Sequence, residues 1–475
     1  MAITRFDSLS EIRKELVANS LSCEQLVQHY LKNIEAKKHL NAFLEVYKEE
    51  ALAAAKKVDG KLKAGNAGRL AGMVIGIKDV ISHKGHGLQA ASQILDGFQA
   101  QFNATVVDRL LKEDAIIIGR QNCDEFAMGS SNENSSFGPV LNDADNSRVP
   151  GGSSGGSAVA VQADMCLASL GSDTGGSVRQ PASFCGIVGL KPTYSRISRW
   201  GLVAYASSFD SIGIFARSVE DTALVLEVIA GADEFDSTVS FKEVEKYSQG
   251  SSLPKKLKIG YLKEGFSDAV NAEVKAKTKE AIEKLKIQGH ELSEVEFPFL
   301  DYILPTYYIL TTAEASSNLS RFDGVRYGRR TKAQTDLLGM YKQTRAEGFG
   351  KEVQKRIMLG TFVLSASYYD AYYTKAQKVR RLIKEKTDEL LNTYDFILMP
   401  TAPTTAFKLK EFASDPLSMY LADVFTVQAN LAGIPAISIP NGTDSQGLGI
   451  GLQIIAGSFK ENDLLSFSKY LSNLN

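Results

Sequence analysis

The sequence is poor in cysteine, and the few cysteines it has stand far apart. Cys23, Cys123, Cys166 and Cys185 form no CxxC pair, which argues against a disulfide framework and against a cysteine-based zinc site. We therefore expect reduced, mostly buried thiols in a cytosolic protein. Histidine is also scarce, with five in the chain. Because none stands in an HExxH or paired arrangement, the sequence predicts no metal site.

Long apolar runs and an excess of charge of one sign are missing as well. No stretch of about 18 apolar residues occurs, so no membrane span is predicted. The charged start of the chain lacks the apolar core of a signal peptide. Lys and Arg number 54 against 55 Asp and Glu, which leaves a formal net charge of -1. Since a chain that grips nucleic acid alone is usually basic, we expect any RNA contact to belong to a partner.

What the sequence does contain is typical of a large soluble α/β enzyme. Its 475 residues are 44% hydrophobic and 23% charged, and this length implies two domains or one large one. A buried strand at Met73–Ile77 precedes a helix at Thr105–Glu113 and a second strand at Ala115–Gly119. Alternation of this kind predicts strands and helices around one sheet.

The chain divides into four stretches by pattern. Capping boxes at Ser8 and Ser22 predict two helices within residues 1–60, and a core spans residues 70–231. The polar stretch 232–255 is the best linker candidate, or a surface excursion. Residues 256–475 contain further α/β and helical segments. The strands expected in this last stretch are Leu257–Leu262, Glu291–Val295, Phe396–Met399, Ile437–Pro440 and Ile450–Ala456, and a last helix is expected to start at Asn462.

The most unusual stretch is Val149–Thr193, where glycine and serine crowd around Ser153 and again around Ser177. Glycine lets backbone amides approach a ligand closely. Two such turns, joined by a run able to form a helix and then a strand, would bring two hydroxyls and several N–H groups together. That equipment suits attack on a carbonyl and stabilisation of its oxyanion. Flexible linkers are the alternative, but linkers do not alternate with buried-looking segments such as Ala158–Val161.

Two other glycine-rich sites fit the stretch poorly. A phosphate loop needs a lysine directly after its last glycine, and neither turn has one. A hydrolase nucleophile elbow is formally matched by Gly152–Gly156, but it needs a strand before the serine and a later histidine as base. Pro150 stands where the strand should end, and the only later histidine is His290, in a helix-to-strand turn.

A lysine can replace histidine as the base in serine enzymes. Lys78 directly follows the buried strand Met73–Ile77. Desolvation at the end of such a strand would lower the pKa of its amine and leave a usable base. A single lysine after a strand is more often a solvated charge, so this interpretation depends on its surroundings.

The glycine-rich motifs resemble the amidase signature family. The matching segments are Gly151–Ser157, Gly171–Pro181, Phe184–Gly186 and Gly189–Thr193. The resemblance implies a Ser–cis-Ser–Lys triad with Ser177 as nucleophile, Ser153 as the bridging serine and Lys78 as base. It also implies an oxyanion hole made by the backbone N–H groups of Thr174, Gly175, Gly176 and Ser177. Asp173 and Arg179 are expected to pin the loop rather than to react.

Segments beyond the signature resemble the A-subunit family of the glutamyl-tRNA(Gln) amidotransferases. They are Phe126–Ser130, Glu314–Gly324, Arg356–Gly360 and Asn430–Pro435. The resemblance implies a cytoplasmic heterotrimer in which this chain hydrolyses glutamine and passes the ammonia to a B subunit. That companion would bind most of the tRNA and use ATP and Mg²⁺ to convert Glu-tRNA(Gln), and a small C subunit would complete the complex. The implied fold is a single α/β/α domain around a large mixed sheet.

Glutamine needs a cation for its α-carboxylate and an anion for its α-ammonium. Arg356 can grip a carboxylate through its fork, and Asp423 can accept the ammonium. These roles depend on the resemblance, which also places Met128, Thr174 and Tyr308 in the pocket. Two alternatives stay open: a free-standing amidase for another small amide, and a catalytically silent scaffold of a larger complex.

Overall fold

Short runs of branched apolar residues form the strands of one central sheet. The computed structural model describes residues 5–413 and 415–474. Within these residues the sheet has eleven strands, and β-branched side chains suit such half-buried or buried pleats. The strands are β1 (Phe43–Val46), β2 (Val74–Lys78), β3 (Ile116–Gln121), β4 (Ala168–Asp173), β5 (Val188–Lys191), β6 (Ser211–Ala216), β7 (Lys258–Leu262), β8 (Glu291–Val295), β9 (Phe396–Pro400), β10 (Ala436–Thr443) and β11 (Gly449–Ile455).

Helices cover the sheet. Among the described residues, short 3-10 turns and one π-helical segment, Tyr369–Thr374, lie between them. The α-helices of the described residues are α1 (Leu9–Val17), α2 (Cys23–Ala36), α3 (Lys48–Lys63), α4 (Thr105–Lys112), α5 (Gly155–Gln162), α6 (Arg179–Cys185), α7 (Val219–Ile229), α8 (Ala272–Ile287), α9 (Leu300–Asn318), α10 (Leu337–Gly348), α11 (Lys351–Val363), α12 (Lys375–Thr393), α13 (Pro416–Leu421), α14 (Val427–Ala432) and α15 (Glu461–Ser472).

The sheet is mixed, as the sequence predicts. Its strand order is β1-β3-β2-β4-β6-β5-β10-β11-β9-β7-β8. Strand β2 runs parallel to β3 and β4, and β7 runs parallel to β8 and β9, whereas the other neighbours are antiparallel. Strands from before and after residues 232–255 meet where β5 pairs with β10. The fold class predicted from the sequence is therefore confirmed, while the four-stretch division of the chain stays a prediction.

Several elements have weak sequence signals. The predicted pair of helices within residues 1–60 is α1 and α2, but α3 follows them and β1 precedes it. Helix α3 buries only Ala51, Ala55 and Val58, so small residues among lysines and glutamates hide its apolar face. Strand β6 has no counterpart among the predicted strands either. The last helix begins at Glu461, one residue before the predicted start.

The sheet topology places the glycine-rich turns beside Lys78. Strands β2 and β4 are parallel neighbours, with Ile77 opposite Leu170, so their carboxyl ends lie at the same edge of the sheet. Lys78 ends β2 and Asp173 ends β4. The residues that follow Asp173 must therefore emerge next to the lysine.

The scarce residue types form no special site in the described part of the chain. All four cysteines are free and buried. Residues 5–413 and 415–474 contain no cluster of three His, Cys, Asp or Glu side chains placed to hold a metal ion. In the same ranges no helix combines the length and the apolar character needed to cross a bilayer.

Candidate active site

Two glycine-flanked turns meet at the carboxyl edge of β2 and β4. The first turn precedes α5 and contains Ser153, whose peptide bond with Gly152 is cis. The second turn precedes α6 and contains Ser177. The Ser154 N–H donates to the Ser177 carbonyl over 3.3 Å, and the Gly152 N–H donates to the Gln180 side-chain oxygen over 3.0 Å. Ser153 is fully buried, whereas Ser177 is 8% exposed, so Ser177 is the more accessible of the two serines.

Glycine is required in both turns because other groups occupy the space of a side chain. A Cβ on Gly152 would collide with the Asp124 carboxylate. A Cβ on Gly176, whose φ is +134°, would collide with the Thr426 side chain. Asp124 is itself fixed by the N–H groups of Asn132 and Asn134. The glycines thus allow neighbouring side chains to close around the serine turns.

The Lys78 amine lies between the two turns. Its Nζ donates to the hydroxyl oxygens of Ser153 over 2.7 Å, Ser154 over 2.8 Å and Ser172 over 3.0 Å. The side chain is fully buried, and this burial lowers the pKa of Lys78 to about 8, although nearby acidic groups, including Asp124, act in the opposite direction. A neutral amine is therefore accessible at mildly alkaline pH, with a hydroxyl already in hydrogen-bond range.

Two of these three hydroxyls have no role among the sequence predictions. Ser154 follows Ser153 directly, and Ser172 lies in β4, so both stand inside the same glycine-rich motifs. Ser154 also donates to the Ser172 carbonyl over 3.1 Å. The folded glycine-rich stretch brings Ser154 and Ser172 to the same lysine, although they are far apart in it. The high density of serine in this stretch is the sequence signal that could have indicated both residues.

A buried ion pair fixes the second turn. Arg179 and Asp173 are both fully buried, and two guanidinium nitrogens of Arg179 contact the carboxylate at 2.9 and 3.1 Å. Burial alone would raise the pKa of Asp173, but Arg179 outweighs it and the pKa falls to about 2. The carboxylate also accepts the N–H groups of Gly176 and Val178. These contacts are those of a structural pair that holds the loop.

The contact to Asp173 commits one of the four predicted oxyanion donors. The Gly176 N–H points to that carboxylate over 2.9 Å. The N–H groups of Thr174, Gly175 and Ser177 have no hydrogen-bond acceptor among the described residues. Three donors are therefore free to meet a developing oxyanion, and their role stays a prediction.

A cleft of about 410 Å³ is lined by Gly129, Ser130 and Arg356, among other residues. Arg356 lies on α11 and is 4% exposed. Its Nε donates to Glu352 over 2.8 Å, and its Nη1 donates to the Tyr205 hydroxyl over 2.8 Å. Its Nη2 has no hydrogen-bond acceptor in the described ranges. That nitrogen is available for a ligand carboxylate.

Asp423 lies behind the same wall of the cleft. One of its oxygens accepts the Ser130 hydroxyl, and the other is buried without a partner among the described residues. Burial raises the pKa of Asp423 to about 7. Thr426, three residues further on, donates its hydroxyl to the Gly175 carbonyl over 2.7 Å, which links the backbone segment of Asp423 to the serine turn. A buried, unpaired carboxylate oxygen is costly unless a ligand satisfies it.

Of the other predicted pocket residues, Tyr308 contacts Arg356, whereas Met128 lies in the buried core. The Tyr308 ring lies 5.3 Å from the Arg356 guanidinium and 4.3 Å from the Tyr420 ring. Met128 is fully buried next to Gly129, behind the cleft wall. Ser130 and Tyr420 line the cleft and are absent from the predicted site. Ser130 ends the segment Phe126–Ser130, which carries the resemblance and could have pointed to it, whereas nothing in the local sequence of Tyr420 distinguishes that residue.

The family profile described as Amidase matches residues 25–465. This chain belongs to the amidase family. The A subunit of glutamyl-tRNA(Gln) amidotransferase from Prosthecochloris aestuarii is 52% identical over 473 residues, with 99% of each chain covered. The crystal structure of the corresponding A subunit from Thermotoga maritima has a TM-score of 0.76 and 40% identity, covering 94% of this chain and 90% of that one.

Amidases outside that branch share the fold at lower identity. The native peptide amidase from Stenotrophomonas maltophilia has a TM-score of 0.82 and 26% identity, covering 97% of this chain and 95% of that one. The fold therefore extends over the family, and the higher identities lie with the amidotransferase subunits.

Proposed function

We propose that this chain is the glutamine-hydrolysing A subunit of a glutamyl-tRNA(Gln) amidotransferase. The observation that carries the proposal is a buried lysine–serine site near a cleft that is lined by Arg356. One guanidinium nitrogen of Arg356 and one buried carboxylate oxygen of Asp423, behind the cleft wall, have no partner among the described residues. The near-full-length identity to subunits of that name supports the assignment.

Glutamine fits the charges of this cleft. Arg356 lines the cleft, and its Nη2 receives the α-carboxylate. Asp423 lies behind Ser130 of the cleft wall, and its unpaired buried oxygen accepts the α-ammonium. This oxygen is buried away from solvent and has no hydrogen-bond partner among the described residues. The α-ammonium supplies a hydrogen bond and an opposite charge, which offsets the free-energy cost of burying the carboxylate. The Tyr308 ring lies against Arg356 and forms an apolar wall for the side-chain methylenes. The carboxamide then extends toward Ser177, the more exposed of the two serines.

In the acylation step, the proton passes from Ser177 to Ser153 and from Ser153 to Lys78. Neutral Lys78 takes the proton of the Ser153 hydroxyl, which takes the proton of Ser177, and the Ser177 oxygen attacks the carboxamide carbon. The oxyanion that forms is held by the free N–H groups of Thr174, Gly175 and Ser177. When the carbon–nitrogen bond breaks, the proton returns along the same route to the leaving nitrogen, and ammonia departs.

Deacylation reverses the path with water as the nucleophile. A water molecule loses its proton through Ser153 to Lys78 and attacks the γ-glutamyl ester of Ser177. The ester bond breaks, the proton goes back to the Ser177 oxygen, and glutamate leaves. Each group returns to its starting protonation state, so the cycle consumes one glutamine and one water and yields glutamate and ammonia.

The ammonia is used by partners in this proposal. A B subunit binds most of the tRNA, activates Glu-tRNA(Gln) with ATP and Mg²⁺ and takes up the ammonia, and a C subunit completes a heterotrimer. The net charge of -1 suits a chain that leaves the RNA to a companion.

Co-expression with B and C subunits of a relative tests the assignment. The complex should convert Glu-tRNA(Gln) to Gln-tRNA(Gln) in a reaction that depends on ATP and glutamine. Ser177→Ala should abolish conversion driven by glutamine but not conversion driven by added ammonium, because only ammonia production is lost. Aminoacyl-tRNA products separated after nuclease digestion give the readout.

A matched serine serves as the control. Ser157 is buried in α5 and donates to the Leu170 carbonyl over 3.3 Å, outside the lysine site, so Ser157→Ala should keep both reactions. Strong hydrolysis of varied small amides by the lone chain, with no glutamine-dependent conversion in the complex, would favour a free-standing amidase instead.

A further inference from the structure

Tyr205 joins the two halves of the active site. It is 1% exposed, and each of its polar groups has a partner. Its hydroxyl accepts from Arg356 Nη1 over 2.8 Å and donates to Thr311 over 3.0 Å. Its carbonyl accepts from the Asn318 side chain, and its N–H donates to Asp210 over 2.9 Å. Because all of these groups are paired, the ring and its hydroxyl are held in a single position.

Asp210 connects Tyr205 to the serine turn. This carboxylate is 2% exposed and accepts the Thr174 hydroxyl over 2.7 Å. It also accepts the N–H groups of Tyr205 and Ala206. Burial raises the pKa of Asp210 to about 6, so the group is ionised above neutral pH. One carboxylate therefore holds both the oxyanion turn and the backbone of Tyr205.

The orientation of Arg356 depends on two side-chain acceptors. Glu352 accepts a hydrogen bond from Arg356 Nε, and the Tyr205 hydroxyl accepts one from Arg356 Nη1. The guanidinium carbon lies 5.6 Å from the Tyr205 ring centre. Two bonds fix the plane of the guanidinium, and Nη2 is the nitrogen left without an acceptor among the described residues of a side chain that lines the cleft. With the Tyr205 hydroxyl absent, one bond remains and the plane can turn about it.

We propose that Tyr205 is a positioning residue that orients Arg356 for the α-carboxylate of glutamine, and that Asp210 fixes it at a set spacing from the Ser177 turn. The inference rests on the proposed function. It explains how a binding group on α11 and a nucleophile after β4 keep the separation that one glutamine molecule needs. The contact spans 151 positions of sequence, so no local motif would reveal it.

Tyr205→Phe tests the proposal because it removes the hydroxyl and keeps the ring. A hydrogen bond to a charged group is worth enough that its loss should raise KM for glutamine on the order of tenfold. The kcat should change by less than about twofold, since the lysine–serine geometry is untouched. The inhibition constant of 4-aminobutanamide, which is glutamine without its α-carboxylate, should stay within about twofold of the wild-type value.

The chain contains a matched control in Tyr247. Its hydroxyl accepts from Arg196 Nε over 2.7 Å, and the Arg196 guanidinium lies 5.7 Å from its ring centre. Tyr247→Phe therefore removes the same kind of buried tyrosine–arginine bond away from the cleft. It should leave KM for glutamine unchanged. Both Tyr205→Phe and Tyr247→Phe should lower the melting temperature, and by similar amounts, because each loses one buried hydrogen bond to an arginine.

The outcomes separate the inference from the function on which it rests. A wild-type complex without glutaminase activity would overturn the proposed function itself. A wild-type complex with activity, but with equal KM in Tyr205→Phe and Tyr247→Phe, would overturn the role of Tyr205 alone. A fall in kcat with unchanged KM would also overturn it, because the hydroxyl would then act on the chemical step.

Discussion

Two buried lysines end two strands of the same sheet, and only one of them has the surroundings of a base. Lys78 ends β2 and Lys191 ends β5, and they are 0% and 1% exposed. Burial lowers the pKa of Lys78 to about 8 and that of Lys191 to about 7, the latter with a further contribution from Arg179.

The contacts of the two amines differ in kind. Lys78 Nζ meets three hydroxyls, each able to donate or accept a proton. Lys191 Nζ donates to the Pro192 carbonyl over 2.7 Å, and a carbonyl oxygen has no proton to give. A lowered pKa therefore shows only that an amine is buried. A hydrogen bond to a hydroxyl that can pass on the proton of a nucleophile is what distinguishes a catalytic base.

Replacing each lysine by methionine gives the largest expected difference. Lys78→Met removes the general base and should lower kcat for glutamine by about 10³-fold or more. Lys191→Met fills the same volume without a charge and should keep kcat within a few-fold. Steady-state ammonia release, measured for both variants in the complex, provides the comparison.

Circular dichroism and the melting temperature serve as the folding controls for both variants. A folded Lys78→Met variant with near-normal kcat would remove the proposed base. An equal loss in a folded Lys191→Met variant would erase the distinction between the two sites.

The sequence predicts the reactive groups of this site better than their supports. Lys78 follows an apolar run and Ser177 stands in a glycine-rich turn, so local pattern reveals both. Tyr205 and Asp210 stand in no such pattern, and their roles arise from contacts between distant segments.

The fold shows the same division. Apolar runs such as Phe396–Pro400 are recognisable as strands, while α3 escapes prediction because its buried face consists of alanines and one valine. The sequence shows the periodicity of apolar residues, which indicates helices and strands. How deeply each residue is buried depends on which elements pack together, and the sequence does not show this.

The pH dependence of kcat/KM is the second way to compare the lysines. Only neutral Lys78 can take a proton, and its pKa of about 8 lies above neutrality. The value of kcat/KM should therefore rise about tenfold per pH unit below that pKa and level off above it. Ionisation of Asp423, with a pKa of about 7, also favours binding of the α-ammonium. Below about pH 7 both groups titrate, so the rise there should be steeper than about tenfold per pH unit.

The profile of Lys191→Met should match that of the wild type, because this amine takes no part in proton transfer. Initial rates at low glutamine from about pH 6 to about pH 9.5, a range that spans the pKa of Lys78, give both curves. A flat wild-type profile, or a midpoint that moves in Lys191→Met, would contradict the assignment.

A smaller effect is expected from one hydroxyl around Lys78. Ser172 accepts from the amine and so favours its charged form. Ser172→Ala should therefore shift the midpoint of the pH–rate profile downward by about half a unit. Ser169→Ala, on the same strand but bonded to Gln121, is the control and should leave the midpoint in place. An upward shift in Ser172→Ala would show that the hydroxyl acts otherwise.

The smallest effect concerns stability and not rate. Because the pKa of Lys191 is lowered in the folded state to about 7, the unfolded chain binds more protons at this residue between that pH and its unfolded value of about 10.4. The free energy of unfolding of the wild type, relative to Lys191→Met, should thus rise as the pH is raised from about 7 to about 9. Urea denaturation at both pH values measures the difference, and a constant difference would mean that Lys191 does not titrate differently in the two states.

The most direct measurement is the site of acylation during a single turnover. The complex is mixed with glutamine, quenched in acid within the first turnover and digested, and the γ-glutamyl ester is mapped by mass spectrometry. The account predicts an ester on Ser177 in the wild type and in Lys191→Met, and none in Lys78→Met. An ester on Ser153 or Ser154, or equal acylation of Ser177 without Lys78, would contradict it.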